Sequence, residues 1–384
     1  MNSELEPPTI IDLFCGCGGF SLGAKLAGFD ALVAVDIDPD IQSSYKKNYP
    51  LTRTLEGNVA DITLSDWREI IGNRRPDGII GGPPCQGFSR IGKRQKDDPR
   101  NSLIFHYFRH VKELGPKFFV MENVEGILDE DGIEILEAGM AQVSDIYTIL
   151  GPFVINAADY GAPTNRYRVL VVGYRSDEMN ALSLGDFEKG KVFAHTTVKQ
   201  AISDLPRPIS SSKENTYHWS EYSINPAVKI SEYAKKMRKV PRVKGLGWKE
   251  SLQKLRLGQV SGLAETKHTD VVAQRYASTP PGKADPISKS YRLAWEGLSP
   301  TLRAGTGSDK GSFQAVRPLH PEFGRVITVR EAARLQGFPD WYVFHPTKWH
   351  SFRMIGNSVS PLVSFSVMSV ILKAMLIIEN KSAA

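Results

Sequence analysis

The chain has 384 residues, 41% of them hydrophobic, enough for a sizeable core in one large domain or two ordinary ones. Its three cysteines exclude a disulfide framework and fit a reducing compartment, and the N-terminal MNSELEPPT lacks the apolar run of a secretory signal. The net charge of +6 is concentrated: between Arg207 and Arg256, 12 Lys or Arg stand against 4 Asp or Glu. Such a patch on a nearly neutral body suits a polyanion, and Tyr217, Trp219, Tyr222, Tyr233 and Trp248 lie among the charges. Taken alone, a segment such as SEYAKKMRKV reads first as a solvated helix face. No run approaches the roughly 20 apolar residues of a membrane span, so a soluble, cytoplasmic protein is expected.

Along the first 175 residues, strand-like and helix-like segments alternate. TIIDLF, ALVAVD, DGIIGG, KFFVME, FVINA and VLVVGY read as buried strands of a largely parallel sheet. Between them, SLGAKLAGF closes at a glycine, PDIQSSYKKNYP ends at a proline, and NSLIFHYFRHVKELG runs from an Asn-Ser cap signal to Gly115. This alternation predicts a doubly wound α/β domain. From about Ser176 to Ser299 the rhythm is lost, which predicts a separate irregular domain or large insertion. Order returns at TVREAARLQGFPD, where Thr328 and Glu331 have capping-box spacing and Gly337 ends the helix. The apolar tail PLVSFSVMSVILKAMLII, interrupted by serines and Lys373, reads as a helix docked back on the sheet. The domain division that follows is 1–175 plus 325–384 for one unit and 176–324 for a second, smaller, irregular one.

Four stretches carry chemistry. In IDLFCGCGGFSLG a strand runs into Gly16, Gly18 and Gly19 and then a helix, and Asp36 ends the next strand about 20 residues on. That pattern points to an adenosine-bearing cofactor without saying which; Ser21 holds the place of the third fingerprint glycine, and a purely steric βα turn is the plainer alternative. Cys15 and Cys17 lack the partners of a closed zinc site, so no metal is expected. In GGPPCQGFS, Cys85 follows two rigid prolines just beyond a strand's C-terminal edge, where ligands bind in open α/β sheets. A lone cysteine is more often a small buried hydrophobe, but a core cysteine needs no stiff pedestal. In FFVMENVEG, Glu122 sits at another strand end, where an acid can protonate or hydrogen-bond a ring nitrogen. In GAPTNRYRVLVVG, Arg166 and Arg168 stand two apart at a strand entrance and should share a face, able to neutralise that acid and bind a carbonyl.

In this order the four stretches resemble the DNA (cytosine-5) methyltransferase family, of bacterial restriction-modification type. DLFCGCGGFSLG looks like its cofactor loop, GGPPCQGFS its nucleophile loop, MENV its Glu-Asn-Val motif and NRYRV its double-arginine motif. RVITVREAARLQGFPD and MIGNSVSPLV look like its last two motifs. The resemblance implies a Rossmann-like fold that binds S-adenosylmethionine and methylates C5 of a cytosine flipped out of duplex DNA. Cys85 would add to C6, Glu122 would engage N3 and the amino group, Arg168 would hold the ring carbonyl and Arg166 would steady the acid. Phe14, Gly16, Gly18, Asp36, Ile37, Asp61, Ile62, Pro84, Leu103, Asn357 and Ser358 fall at cofactor-binding positions. Three positions depart from the family pattern: Asp36 for glutamate, Thr164 for glutamine and Ser360 for proline.

The irregular basic stretch then takes the place of the target-recognition region, with Thr301-Leu302 resembling a pair found there. Its cations would neutralise phosphates and a few side chains would read bases. The implied partner is double-stranded DNA, bound by a cytoplasmic, nucleoid-associated monomer that needs neither membrane nor metal. The chain would be the protective methylase of a restriction-modification system or an orphan. Rival readings are an RNA-acting relative, a catalytically silent DNA-binding relative and, on the first glycine loop alone, a nicotinamide-dependent oxidoreductase.

Overall fold

The apolar runs assemble into a seven-stranded sheet. The structure is a computed structural model that describes residues 6–84, 102–222, 229–304 and 317–382. The strands are β1 (Thr9–Leu13), β2 (Asp30–Asp36), β3 (Arg53–Glu56), β4 (Gly78–Gly81), β5 (Phe118–Asn123), β6 (Thr148–Asn156), a two-residue β7 (Thr164–Asn165) and β8 (Tyr167–Tyr174). All but β7 lie in one sheet of order β3-β2-β1-β4-β5-β8-β6. β8 pairs antiparallel with both neighbours, and the remaining pairs are parallel, so the sheet is mostly parallel as expected. RTLE, the sequence of β3, has no apolar run and no buried residue, which is why the sequence pattern does not mark it.

Helices α1 (Gly19–Ala27), α2 (Pro39–Asn48), α3 (Leu64–Ile71), α4 (Ser102–Leu114) and α5 (Glu130–Ala141) connect the parallel strands and flank them. Central strands are apolar on both faces because both faces are covered. Ile10, Ile80, Phe118 and Val120 pack on one side with Phe20 and Ala24 of α1; Ile11, Ile79, Phe119 and Met121 pack on the other with Trp67, Tyr107 and Phe108.

The stretch read as irregular contains short helices α6 (Leu184–Glu188), α7 (Val198–Ile202), α8 (Glu232–Met237), α9 (Lys249–Arg256) and α10 (Asp270–Ser278). It also holds two-residue strands β9 (Ser220–Glu221), β10 (Gln259–Val260) and β11 (Ser299–Pro300). The chain then forms α11 (Val329–Gln336), α12 (Lys348–Asn357) and α13 (Pro361–Ser382). α11 opens with the expected capping box between Thr328 and Glu331 and closes at Gly337 in the left-handed conformation. Val198, Ile202, Leu246 and Leu255 share one apolar cluster with Leu335, Phe338 and Phe352, so this stretch packs directly on the α11–α12 segment.

α13 docks as the tail pattern predicts: Val363, Val367, Met368 and Ile371 join the cluster on the α1 face of the sheet. Lys348–Met375 is long and apolar enough to cross a bilayer by composition, but half of its most apolar window is buried inside the protein.

Candidate active site

Strand direction collects the chemistry at one edge. β1, β4 and β5 are parallel, so the segments leaving their C-terminal ends emerge together; β8 runs the other way and brings its first residues to the same edge. Strand order reverses between β1 and β4, which opens the crevice where such sheets bind ligands. Phe14–Gly18 leaves β1, Gly82–Pro84 leaves β4, Glu122 and Asn123 close β5, and Arg168 is the second residue of β8.

The β1 loop is bent back on itself. Phe14, Gly16 and Gly18 have φ of 60°, 55° and 93°. At Gly18 a side chain has no room, because an added Cβ would lie 2.5 Å from the Tyr49 ring and 2.7 Å from that of Tyr45. Tyr49 donates its hydroxyl to the Gly18 carbonyl and Tyr342 to that of Cys17, so tyrosines from the C-cap of α2 and from beyond α11 hold the loop from beneath. At Gly16 the space is open, with Ile41 3.9 Å from the position of an added Cβ.

Asp36 braces the loop from β2. Its Oδ2 accepts from Gly16 N at 2.8 Å and its Oδ1 from Asp38 N at 2.9 Å. Burial raises its carboxyl pKa above the ordinary value against the pull of these two amides. Next to it Ile37 is 68% exposed, an apolar surface left bare at a strand end. Asp61 is exposed, Ile62 is buried, and Leu103 is half-buried on the first turn of α4. Open backbone at Gly16, a braced carboxylate and an uncovered aliphatic face together fit an adenosyl group. Cys15 and Cys17 are buried, and burial pushes the thiol of Cys17 up to about 12 and that of Cys15 well above its ordinary value, so neither is a nucleophile. Among the described residues no cluster of His, Cys, Asp and Glu could hold a metal.

Below the loop lies a carboxyl that the sequence reading passed over. Asp12 is 1% exposed; Ser21 Oγ donates to it at 2.6 Å, and Tyr45 donates to Ser21 at 2.8 Å. Ser21 thus uses the place of the absent third glycine for a hydrogen bond. The available signal was an aspartate inside an otherwise apolar strand.

Glu122 is 8% exposed at the end of β5. Its Oε1 lies 2.9 Å from Arg168 Nε, an ion pair, yet this oxygen accepts no hydrogen bond from the described residues. Its Oε2 sits against the β4 loop, 3.1 Å from where a Cβ on Gly82 would be. Asn123 ties the same loop down, donating from Nδ2 to the Pro83 carbonyl at 3.1 Å. Pro84 is half-buried beside it, and Cys85, the expected nucleophile, lies outside the described residues.

The arginines divide their work differently from the expectation. Arg168, not Arg166, pairs with Glu122. Arg166 is 2% exposed, between β7 and β8, and donates to the carbonyls of Ser358 at 2.9 Å and Leu302 at 3.4 Å. Burial and the neighbouring Arg168 lower its pKa well below the ordinary arginine value, and Glu122 opposes them. Spacing of two gives the shared neighbourhood but not the partner. Thr164 donates from Oγ1 to Ser299 O at 3.2 Å and Thr301 Oγ1 to Asn165 O at 2.7 Å, so the Thr301-Leu302 pair runs beside the double-arginine segment.

Asn357 ends α12 exposed, and Ser358 behind it is buried. The Ser358 carbonyl also accepts from Gln336 at 2.9 Å, and Ser360, where proline is usual, donates to the Gln336 carbonyl at 2.9 Å. The departure at Ser360 therefore joins α11 to the entry of α13.

Part of the basic region is consumed internally. Arg238 pairs with Asp204 at 2.6 Å, Tyr222 donates to Asp340, and Tyr233 donates to the Arg334 carbonyl. Tyr217, Trp219 and Trp248 instead line a cavity of about 300 Å³ with Glu214, Lys254 and Gln259.

Comparison with known proteins gives this edge its context. The family described as C-5 cytosine-specific DNA methylase matches residues 8–373. Type II methyltransferase M.XorII of Xanthomonas oryzae pv. oryzae is 43% identical over 96% of this chain and 85% of its own. M.DdeI of Desulfomicrobium norvegicum is 33% identical over 92% and 86%. A solved structure described as a DNA modification methyltransferase encoded within an Escherichia coli prophage superposes with a TM-score of 0.84 at 40% identity, covering 96% of this chain and 99% of that one. The Dnmt2 methyltransferase of S. pombe, 16% identical over 95% and 98%, shares the fold at a TM-score of 0.57. With the motif loops gathered at one sheet edge and the match running through nearly the whole length, the chain belongs to the C-5 cytosine-specific DNA methylase family and is a DNA cytosine-5 methyltransferase.

Proposed function

We propose that the protein uses S-adenosylmethionine to methylate C5 of a cytosine flipped out of a specific duplex sequence, through a covalent bond between Cys85 and C6. The observation that carries the reading is Glu122: a buried carboxylate at the crevice, whose Oε1 is paired with Arg168 and whose other oxygen, Oε2, faces the β4 loop. Such an oxygen suits a donor brought by the substrate, the amino group or protonated N3 of cytosine.

S-adenosylmethionine, bound against Phe14, Gly16, Gly18, Asp36, Ile37, Asp61, Ile62, Pro84, Leu103, Asn357 and Ser358, supplies the methyl group. The chain's residues do the rest. Cys85 adds as thiolate to C6, and the ring electrons displaced toward N3 are neutralised by the proton that Glu122 shares with N3. C5 thereby becomes nucleophilic. The methyl transfer leaves a neutral thioether behind; a base such as a water in the crevice then accepts the C5 proton, the C5–C6 double bond re-forms and Cys85 leaves with the electrons of the S–C6 bond. Arg168 orients Glu122 and can reach the ring carbonyl beside it, while Arg166 fastens the β7–β8 turn to Ser358.

Residues 1–175 and 325–384 form the catalytic unit in this reading and 176–324 the recognition unit. The relatives' type II names support a role as a restriction-modification methylase; that it works as a monomer on cytoplasmic, nucleoid-associated DNA is part of the same proposal. The test is trapping on duplex DNA carrying 5-fluorocytosine. Wild type should form an adduct stable to denaturation, and Cys85→Ser should form none and leave bisulfite-sequenced DNA unmethylated. A Cys85→Ser enzyme that still makes 5-methylcytosine overturns the mechanism. Methyl incorporation into RNA rather than DNA would overturn the substrate.

A further inference from the structure

Asp36 is one methylene shorter than the glutamate usual at its place, so its reach depends on the turn that carries it. That turn is held from a distant helix. Arg353 on α12 donates from Nη1 to Asp38 Oδ2 at 2.6 Å. Asp38 Oδ1 accepts from Ile41 N at 3.1 Å and caps α2. The backbone N of Asp38 donates to Asp36 Oδ1, and Asp36 Oδ2 accepts from Gly16 N. An unbroken line of charge-assisted hydrogen bonds therefore runs from α12 through the α2 cap to the glycine loop. Arg353 also stacks on Trp349, its guanidinium carbon 5.6 Å from the ring centroid. Four residues after Arg353, one turn along the same helix face, comes Asn357.

We propose that Arg353 is a positioning residue for the cofactor. By locking Asp38 it fixes the orientation of Asp36 from one side, and by pinning α12 it sets the place of Asn357 on the other. This rests on the reading of the crevice as the S-adenosylmethionine site. Arg353 and Asp38 keep 31% and 20% side-chain exposure, so the pair is partly screened and its effect is moderate.

Arg353→Met keeps the length and apolar stem and removes the charge; Arg353→Lys restores a charge without the fork; Asp38→Asn keeps a capping oxygen but not the ion pair. Binding of S-adenosylhomocysteine by calorimetry, kcat and KM for S-adenosylmethionine, and Tm are measured for each and for the Arg353→Met/Asp38→Asn double variant. Arg353→Met should raise both Kd and KM about tenfold with kcat within about twofold, Arg353→Lys should recover part of the loss, and the double variant should bind no worse than Arg353→Met alone. Product binding by Arg353→Met as tight as wild type overturns the assignment, as does a fall in kcat and Tm without a change in KM, or additive losses in the double variant. Failure of wild type to bind S-adenosylhomocysteine would overturn the underlying reading of the crevice as well, and is told apart by that single measurement.

Discussion

Asp12 holds its proton because burial penalises the charge: its pKa rises to about 7, with the Ser21 hydrogen bond opposing and Asp36 reinforcing the rise. Between the unfolded value near 3.8 and this one, the folded protein binds a proton that the unfolded chain has released. Stability from this group therefore falls as pH rises through that window, by an amount on the order of 4 kcal/mol. Asp12→Asn keeps an acceptor for Ser21 and escapes the loss, so its advantage over wild type in urea midpoint should be small near pH 4 and grow up to about pH 8. An advantage that shrinks over that range would contradict the assignment. Glu122, Gly16, Gly18 and Asp36 were legible at this scale because each belongs to a motif whose chemistry is local. The tyrosine cradle was not: Tyr342 reaches Cys17 across 325 residues of chain, and no spacing rule spans that distance. That Arg168 rather than Arg166 pairs with Glu122 was hidden for the same reason, since the carbonyls that claim Arg166 belong to Leu302 and Ser358.

Elements were legible where a periodic apolar pattern met a cap. α11 follows from TVREAARLQG alone, and α2 begins at Pro39 behind the capping Asp38. β3 was not legible, and neither was the reversal of β8, because an apolar run says that a strand is buried but not which way it runs. Close packing between elements is set by glycines whose reason is tertiary. At Gly19, the first residue of α1, an added Cβ would stand 1.9 Å from Ser358 Oγ and 2.4 Å from the Val359 carbonyl oxygen. Gly19→Ala should therefore cost about 2 kcal/mol of stability by overpacking. Ser358→Ala on top of it should return only part of that, because the Val359 backbone cannot be trimmed. Chemical denaturation of the single and double variants measures both values, and full recovery in the double variant would show that the serine hydroxyl alone sets the distance.

At the scale of the molecule, the sequence marked where the α/β rhythm stops but not how the intervening stretch is fastened. The fastening is a buried charge cluster. Arg334 on α11, with no side-chain exposure, lies 3.1 Å from Asp204 Oδ1 and 2.6 Å from Asp340 Oδ1, and Arg238 closes on Asp204 from the C-cap of α8. Removing one partner of such a cluster leaves a charge stranded, at a cost of about 3–5 kcal/mol. This bears on the test of where sequence recognition resides. Exchanging all of 176–310 for the equivalent segment of another family member removes Asp204, and a donor without an acid there leaves Asp340 as the single acid against the two buried arginines Arg330 and Arg334. A graft of 207–310 spares Asp204, which keeps Arg334 as partner even when Arg238 is lost. The graft should fold and methylate the donor's sequence rather than the host's, read by bisulfite sequencing. The larger exchange from a donor lacking the acid should yield little soluble enzyme, and Asp204 restored in it should recover folding. Recognition in this stretch also predicts that DNA affinity falls steeply with salt, because its cations, among them Lys213, Lys244 and Lys249, would meet phosphates. A soluble 207–310 graft with the host's methylation map unchanged would place recognition elsewhere in the chain.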